Sequence, residues 1–268
     1  LCSTPARDYV FQKDAYEDQI DRAAENIRNA DCVIIGAGAG ASTAAGIQYG
    51  GKRFTDNFGE FIEKYGVHYM TDMYAAGFYP YPSEEAKWGY WSKHALMNRF
   101  DPPALPLYTK LYDIVKSKEY FVLTTNVDHQ FYKAGFDEKR IFATQGDYGK
   151  IQCQKACHSK TYDAKELFRK MDEARKDCLI PSELVPKCPV CGGNMAMNLR
   201  CDNYFVEDEA WHEAADRYAC FLEQNKDKKV VLLELGVGFN TPIIIRFPFE
   251  KMVRENPSYS LIRLHMDE

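Results

Sequence analysis

The sequence has 268 residues, a formal net charge of −5, 46% hydrophobic residues and 27% charged residues. This length and composition are typical of a soluble globular protein with one large domain, or with a large and a small one. The negative charge argues against a nucleic-acid partner, and no apolar run of about 18 residues predicts a membrane span. No apolar signal core lies in the first residues, so a cytoplasmic protein is expected.

The first informative stretch is residues 31–47, where a strand, a glycine-rich turn and a helix start follow one another. Apolar residues 32–35 predict a buried strand, and Gly36, Gly38 and Gly40 occupy every second position after it. Glycines at such a turn let backbone N–H groups approach a pyrophosphate, and the helix N-terminus favours the negative charge. The alternative is a tight turn in which the glycines serve close packing.

A second glycine turn follows another predicted strand near the end of the chain. Residues 229–235 form this strand, and Gly236 and Gly238 come directly after it. Two such turns at strand ends strengthen the nucleotide interpretation. In the first turn, Ser42 or Thr43 can cap the helix or bind a phosphate.

Polar residues follow two further predicted strands. Asn126 and Asp128 come after the apolar residues 120–123, and Gln145 follows a short strand that begins at Arg140. Because strand ends line the ligand crevice of a doubly wound sheet, one of the first two is expected to face a ribose or carboxamide. Turn capping is the alternative role for both. Gln145 cannot act as a general base, since an amide takes up no proton near pH 7.

Four of the nine cysteines have the spacing of a zinc site, namely Cys153, Cys157, Cys188 and Cys191. Four thiolates complete a tetrahedral zinc and leave no open position, so a structural site is predicted. Four unrelated reduced cysteines are the alternative. Cys178 and Cys201 are the substitutes if this assignment of the ligands is shifted.

Three segments carry weaker signals. Residues 14–30 have the spacing of an amphipathic covering helix. Residues 48–54 predict a flexible loop that either closes over a ligand or lies in solvent. Residues 59–100 are rich in aromatic side chains at helical spacing, which predicts an inserted helical module whose aromatic residues form a core rather than a ligand site.

Together and in this order, the motifs resemble those of the sirtuin family over about residues 15–265. Residues 38–47 resemble its GAGxSxxSGI motif, residues 124–128 resemble TQNxD, and residues 236–238 stand where the family has GTS. The four cysteines match its structural zinc site. The resemblance implies an α/β fold, with a Rossmann-like parallel sheet and a smaller discontinuous zinc-binding and helical domain, and NAD in the crevice between them.

The same resemblance implies the domain bounds. The Rossmann-like NAD-binding domain is predicted to comprise residues 14–58, 104–150 and 202–268. A helical module at residues 59–103 and a zinc-binding module at residues 151–201 are predicted to form the small domain.

The resemblance also implies the residues of the site, with Asn126 and Gln145 as catalytic residues. The predicted NAD-binding residues are Gly38, Ala39, Ser42, Thr43, Ile47, Arg53, Phe54, Asn126, Asp128, Gln145, Gly236, Val237, Gly238 and Asn240.

Three departures from the usual family pattern point to one subgroup. Residues 48–54 replace a Pro-Asp-Phe-Arg stretch, Gln145 with Gly146 replaces a His-Gly pair, and residues 203–207 replace the Val-x-Phe-Gly-Glu strand that binds the acyl-lysine peptide. This combination is similar to the class M sirtuins, which are microbial, linked to macrodomains, and modify lipoyl-carrier proteins by ADP-ribosylation.

The change from histidine to Gln145 decides the reaction that we expect. In sirtuin deacylation a histidine base activates a ribose hydroxyl, and an amide cannot remove that proton. Cleavage of nicotinamide and transfer of ADP-ribose to a side chain need instead a pocket that stabilises an oxocarbenium-like centre and positions the acceptor. Gln145 and Asn126 can both orient ribose hydroxyls or a water molecule.

The expected protein is therefore an NAD-dependent protein ADP-ribosyltransferase, with NAD as substrate and zinc as structural metal. The expected partners are a protein substrate, namely a lipoylated GcvH-like carrier, and a macrodomain hydrolase. The alternatives are a protein-lysine deacylase or delipoylase, and a non-catalytic module that senses NAD.

Overall fold

A sheet of five parallel strands forms the larger part of the computed structural model, which describes residues 16–239 and 241–265. Its strands are β1 (Cys32–Ala37), β2 (Glu119–Thr124), β3 (Ile141–Ala143), β7 (Val230–Leu235) and β8 (Tyr259–Leu264). Their spatial order is β3-β2-β1-β7-β8, and every neighbouring pair is parallel. The order reverses between β1 and β7, so their carboxyl ends form the crevice of a doubly wound sheet. The predicted fold class is confirmed.

Helices cover both faces of this sheet. They are α1 (Tyr16–Asn29), α2 (Ala39–Ala44), α6 (Pro106–Val115), α7 (Gln130–Lys133), α9 (Glu209–Asn225) and α10 (Arg246–Glu255). Alternate side chains of β1 point to opposite faces: Val33 and Ile35 join one apolar cluster, and Cys32 and Ile34 join the other. None of the described helices combines the length and the apolarity that crossing a bilayer requires.

A second, smaller sheet lies beside the first. It consists of β4 (Gly146–Cys153), β5 (Thr161–Asp163) and β6 (Met195–Leu199), in the antiparallel order β5-β4-β6. The helical elements next to it are α3 (Gly51–Tyr65), α4 (Met73–Gly77), α5 (Glu84–Ala95), a π-helical turn (Leu96–Phe100) and α8 (Lys165–Ala174), while short 3₁₀ turns occupy Glu138–Arg140 and Ser182–Leu184. One apolar cluster holds these parts together, in which the rings of Trp88 and Phe168 lie 6.1 Å apart. Phe61, Trp88, Tyr90 and Trp91 of the aromatic stripe are buried core residues, as predicted, whereas Tyr69, Tyr74 and Phe78 are exposed.

The loop predicted for residues 48–54 is limited to residues 48–50, because α3 already begins at Gly51. Phe54, Phe58 and Phe61 are buried at helical spacing, and this spacing was hidden by the glycines that precede it. Phe58 interrupts the helix with φ −117° and ψ 20°. The kink coincides with the predicted domain boundary after residue 58, and the domain bounds themselves stay a prediction.

Candidate active site and metal centre

The two glycine turns lie against each other at the carboxyl ends of β1 and β7. The backbone N–H of Gly40 donates to the carbonyl oxygen of Gly236 at 2.9 Å. A Cβ atom would lie 2.7 Å from that oxygen if it were added to Gly38, and 2.7 Å from the Gly236 Cα if it were added to Gly40. Gly236 itself has φ +57°, and its added Cβ would lie 2.4 Å from the Ala41 nitrogen. The close-packing alternative thus accounts for these three glycines.

Gly238 is different, because a Cβ added there would meet nothing within 4 Å. This residue is exposed, as is Ala39, whereas Val237 and Ile47 are buried. Gly238 therefore borders open space at the switch point of the sheet, where a ligand of this fold class is expected. Asn240, a predicted NAD-binding residue, lies outside the described residues.

Helix α2 has no side-chain cap, contrary to one role predicted for Ser42 and Thr43. Its N-cap residue is Gly38, and Thr43 Oγ1 donates instead to the carbonyl oxygen of Ala39 at 3.1 Å. The first turn of the helix lacks acidic side chains, and the N–H groups of Gly40 and Ala41 donate to the carbonyl oxygens of Gly236 and Gly38.

Ser42 is buried and belongs to a directed chain of hydrogen bonds. Its hydroxyl donates to Asp128 Oδ2, so the contact of 2.9 Å between Ser42 Oγ and Tyr108 Oη has the tyrosine as donor. Asn126 Nδ2 lies 3.4 Å from the same tyrosine oxygen and donates to the Gly38 carbonyl at 3.0 Å. Both N–H groups of Asn126 are thus engaged. Its Oδ1 accepts no hydrogen bond from the described part of the chain.

Asp128 receives two hydrogen bonds inside this network. Ser42 donates to one carboxylate oxygen, and the backbone N–H of Gln130 donates to the other at 3.1 Å. Burial raises the pKa of Asp128 above its ordinary value, and the Ser42 hydrogen bond opposes the rise. Because both carboxylate oxygens are engaged, Asp128 fixes the turn after β2.

Gln145 lies next to Asn126 at the carboxyl edge of the sheet. Thr124 and Ala143 are register partners, and each of the two polar residues lies two positions beyond its partner. The backbone carbonyl of Gln145 accepts from the Arg200 N–H at 3.1 Å. Its side chain is half-buried, and the amide makes no hydrogen bond to any residue in the described ranges. The free amide is therefore available to a ligand.

Arg53 and Phe54 contact the helical elements beside the small sheet. Arg53 Nη1 donates to Asn98 Oδ1 at 2.8 Å and to the Gln48 carbonyl at 2.9 Å, and burial lowers the pKa of the guanidinium. The Phe54 side chain is 1% exposed and lies 5.4 Å from the ring of Phe58. The structure gives both residues packing partners, and their predicted contact with NAD stays a prediction.

A cluster of hydrogen bonds centred on the Asp147 carboxylate lies beside the turn that carries Gln145. Asp147 Oδ2 accepts from His129 Nδ1 at 2.9 Å, and Asp147 Oδ1 accepts from Arg99 Nε at 2.9 Å and from the Gly149 N–H at 2.6 Å. Burial favours the protonated acid, but the hydrogen bond from His129 and the charge of Arg99 outweigh it and lower the pKa of Asp147 to about 2. Asp147 is therefore ionised at neutral pH.

The four predicted zinc ligands meet in one cluster, with their Sγ atoms all within 4.8 Å of one another. The Cys153–Cys191 and Cys157–Cys188 sulfur pairs lie 3.7 and 3.6 Å apart. A tetrahedral zinc with bonds of about 2.3 Å places its sulfurs about 3.8 Å apart, whereas a disulfide needs about 2.05 Å. The cluster thus fits a closed zinc site. The substitutes Cys178 and Cys201 lie outside it.

Two features favour metal binding at this cluster. Backbone hydrogen bonds lower the pKa of Cys153 to about 6, which favours the thiolate that a metal needs, whereas burial and the neighbouring sulfurs raise the pKa of Cys157. His158 Nδ1 lies 3.1 Å from Cys157 Sγ, and its Nε2 lies 2.9 Å from the hydroxyl of Tyr162. A residue that contacts a metal-binding cysteine in this way orients the cysteine without binding the metal itself, and His158 has this position beside Cys157.

No family model matches the chain. A protein ADP-ribosyltransferase of Staphylococcus aureus is 41% identical over 244 residues, which are 89% of this chain and 76% of that protein. A probable bifunctional ADP-ribose hydrolase/ADP-ribosyltransferase of Fusarium oxysporum is 30% identical over 262 residues, or 93% of this chain and 43% of that protein. The chain therefore spans less than half of the bifunctional relative.

Solved structures share the fold. A Sir2 homologue in complex with NAD aligns with a TM-score of 0.55 at 14% identity, over 91% of this chain and 81% of that one. Sir2Tm bound to a propionylated peptide aligns with a TM-score of 0.52 at 17% identity, over 93% and 87%. The chain belongs to the sirtuin-type protein ADP-ribosyltransferase family. The predicted resemblance to sirtuins is confirmed, and the assignment to class M stays a prediction.

Several residues at the site of this sirtuin-type protein were missed by the sequence reasoning. Tyr108 lies in α6, which carried no chemical signal, and it reaches Ser42 only because α6 packs on the sheet. His129 directly follows Asp128, and Asp147 lies two residues after Gln145, so both stood next to predicted residues. Because His129 and Asp147 follow two neighbouring strands, their positions in the sequence could have predicted that they form a pair.

Proposed function

We propose that this protein transfers ADP-ribose from NAD to a lipoyl-carrier (GcvH-like) protein. The observation that carries the proposal is Gln145 at the carboxyl edge of the sheet, with a fixed backbone and a free side-chain amide. A deacylase needs a base at this position, and an amide is not one. The 41% identical relative of Staphylococcus aureus, a protein ADP-ribosyltransferase, supports the same activity.

The NAD pyrophosphate lies, in this proposal, between the start of α2 and the open space at Gly238. Exposed Ala39 at the start of α2 has only a methyl side chain, and Gly238 has none and borders open space, so the two positions leave room for a pyrophosphate there. The nicotinamide ribose then lies toward Asn126 and Gln145. Asn126 offers only its Oδ1 to a ligand, so it accepts a hydrogen bond from a ribose hydroxyl, whereas Gln145 can donate or accept.

The reaction breaks the glycosidic bond between C1′ of the ribose and nicotinamide, which leaves with the bonding electron pair. A nucleophilic side chain of the acceptor forms the new bond to C1′ and releases a proton. The amides of Asn126 and Gln145 orient the ribose while its ring carries positive charge. Neither amide removes a proton from a ribose hydroxyl, and Asp128 has both oxygens engaged, so neither position 145 nor Asp128 supplies the base that completes deacylation.

The acceptor side of the site also differs from a peptide-binding strand. Residues 203–207 form no strand, and two buried amides hold their backbone: Gln152 accepts from the Val206 N–H at 2.9 Å, and Asn198 donates to the Val206 carbonyl at 3.1 Å. The Arg200 guanidinium lies 4.3 Å above the ring of Phe205 and forms an ion pair with Glu207. This surface favours a folded protein as acceptor over an extended acyl-lysine peptide.

The proposal includes two further elements. The four-cysteine cluster binds zinc, which stabilises the small sheet and takes no part in the reaction, because four thiolates leave no open coordination position. The product is a substrate for a macrodomain hydrolase, which we propose as a partner in the cytoplasm. The name of the Fusarium oxysporum relative combines a hydrolase and a transferase, which supports this pairing.

The test uses the purified protein with NAD labelled in its adenine ring and a GcvH-like carrier in lipoylated and unmodified forms. Transfer of the label to the lipoylated carrier, with equimolar release of nicotinamide, is the expected result. Release of the lipoyl group would instead indicate a delipoylase. NAD binding without any release of nicotinamide would indicate a sensing module and overturn the proposal.

A further inference from the structure

The turn that carries Gln145 is anchored on both sides. Before it, the Thr144 N–H donates to the Thr124 carbonyl at 3.0 Å, and the Thr144 hydroxyl donates to the same oxygen at 3.3 Å. After it, Gly146 has φ +97°, and an added Cβ would lie 1.9 Å from the Asn198 carbonyl oxygen. The backbone is therefore closely confined, whereas the Gln145 amide has no partner among the described residues to hold it.

Asp147, two residues after Gln145, also anchors the turn, because its carboxylate binds side chains from two other segments of the chain. His129 reaches it from the turn after β2, and Arg99 reaches it from the π-helical turn beside the small sheet. Arg99 makes a two-atom contact, with Nε at 2.9 Å from Oδ1 and Nη2 at 3.4 Å from Oδ2. Charge-assisted hydrogen bonds of this kind are short and directional, so they fix position better than neutral ones.

We propose that Asp147, His129 and Arg99 are positioning residues that fix the backbone at Gln145 and so place its amide beside the nicotinamide ribose. This inference rests on the proposed function, because it assumes that Gln145 serves the transfer. Gln145 and Asp147 are separated only by the confined Gly146, so a displacement of the carboxylate moves Gln145. Misplacement of a reacting group by about 1 Å can cost about 100-fold in rate.

In this proposal His129 serves the cluster as a hydrogen-bond donor to Asp147. Its Nδ1 is held by Asp147, and its ring stacks on Tyr132 with the centroids 4.0 Å apart. Its backbone is left-handed, with φ +65°. Asparagine tolerates that conformation and offers an N–H donor on a short side chain, but it has no titratable group. The substitution His129→Asn therefore keeps the hydrogen-bond donor to Asp147 but removes the group that could transfer a proton.

The test compares Asp147→Asn, His129→Asn and His129→Ala with the matched control Asp101→Asn. Asp101 also forms an ion pair with an arginine, Arg169, at 2.8 Å, but this pair is exposed and does not touch the turn of Gln145. The readouts are kcat and the KM for NAD, with the lipoylated GcvH-like carrier as acceptor, under conditions where each variant is folded.

Asp147→Asn and His129→Ala are expected to lower kcat by about 10- to 100-fold and to change the KM for NAD by less than about 3-fold. His129→Asn and Asp101→Asn are expected to retain kcat within about 3-fold of the unmodified protein, with an unchanged pH profile for His129→Asn. A wild-type kcat in Asp147→Asn would overturn the inference. So would a His129→Asn variant as slow as His129→Ala, since that result assigns His129 a proton.

A measurement that needs no turnover keeps the inference testable if the proposed function fails. The Arg200 N–H bonds the Gln145 carbonyl at 3.1 Å, so its hydrogen exchange reports the position of Gln145. Exchange at Arg200 is expected to accelerate at least about 10-fold in Asp147→Asn and to stay unchanged in Asp101→Asn. Equal exchange in the two variants would overturn the inference, whatever the activity of the unmodified protein.

Discussion

Gly40 donates its backbone N–H to the carbonyl oxygen of Gly236 at 2.9 Å, and this bond joins the turns after β1 and β7 where the strand order reverses. Neither glycine tolerates a side chain, because an added Cβ would lie within 2.7 Å of the backbone of the opposite turn. The crevice thus owes its shape to contact between two backbones. Gly38, Gly40 and Gly236 therefore serve the packing of the two turns, whereas Gly238 borders the crevice.

The substitution Gly40→Ala is expected to lower the free energy of unfolding by about 1–3 kcal/mol, since the new methyl group overlaps the Gly236 backbone. Gly238→Ala has open space for its methyl group, so its melting temperature is expected to match that of the unmodified protein while its affinity for NAD falls. Thermal denaturation and calorimetric titration with NAD measure both effects. An unchanged melting temperature for Gly40→Ala would show that the two turns are not in contact.

The zinc site is tested by Cys188→Ser, with Cys201→Ser as control. Cys188 lies in the four-cysteine cluster and Cys201 lies outside it. Metal analysis is expected to give about one zinc per unmodified or Cys201→Ser chain and far less for Cys188→Ser, and chelation is expected to loosen the small sheet before the parallel sheet. Less than about half an equivalent of zinc in carefully reduced unmodified protein would count against the site.

Asp147 makes the stability depend on pH at the acid end. Its pKa is about 2 in the folded protein against an ordinary value of 3.8, so its contribution is present above pH 3.8 and is lost as the pH falls toward 2. This lowering of the pKa corresponds to a contribution of about 2 kcal/mol to the free energy of unfolding at neutral pH. The difference in unfolding free energy between the unmodified protein and Asp147→Asn, measured in urea, is expected to shrink as the pH falls below about 4. A difference that grows on acidification would contradict this.

Gln145 is expected to matter for transfer even though it is not a base. Gln145→Ala is expected to lower the rate by about 10- to 1,000-fold, the range for loss of one hydrogen bond to a charged transition state. Gln224→Ala, which removes an exposed glutamine on α9, is the control and is expected to change nothing. Transfer at the unmodified rate by Gln145→Ala would remove Gln145 from the site.

The reverse experiment restores the histidine of the deacylases. Gln145→His is expected to gain only weak deacylation of an acyl-lysine peptide, because residues 203–207 also depart from the strand that binds such peptides. Formation of O-acetyl-ADP-ribose is the readout. A full gain of deacylation would show that position 145 alone decides the chemistry.

The parallel sheet and the cysteine cluster could be predicted from the sequence because each depends on a local pattern. Apolar runs such as residues 32–35 predict buried strands, and Cys188 and Cys191 have the spacing of one metal-binding turn. The resemblance to sirtuins then supplied the order of the motifs. The start of α3 at Gly51 was missed because its two leading glycines are typical of a loop.

The hydrogen-bond network could not be predicted, because its members are distant in sequence. Ser42 and Asp128 are 86 positions apart, and Tyr108 reaches Ser42 across 66 positions. The role of Gly40 shows a second limit: the sequence predicted a glycine turn, but packing against Gly236 became visible only once β1 and β7 were known to be neighbours.

One competition assay distinguishes ADP-ribose transfer from deacylation. The unmodified protein is incubated with adenine-labelled NAD, the lipoylated GcvH-like carrier and an acetyl-lysine peptide, and the products are separated by mass spectrometry. We predict label on the carrier, equimolar nicotinamide and no O-acetyl-ADP-ribose, because Gln145 cannot activate the ribose hydroxyl. Robust turnover of the peptide to O-acetyl-ADP-ribose, with no label on the carrier, would instead identify a deacylase and exclude the proposed transfer.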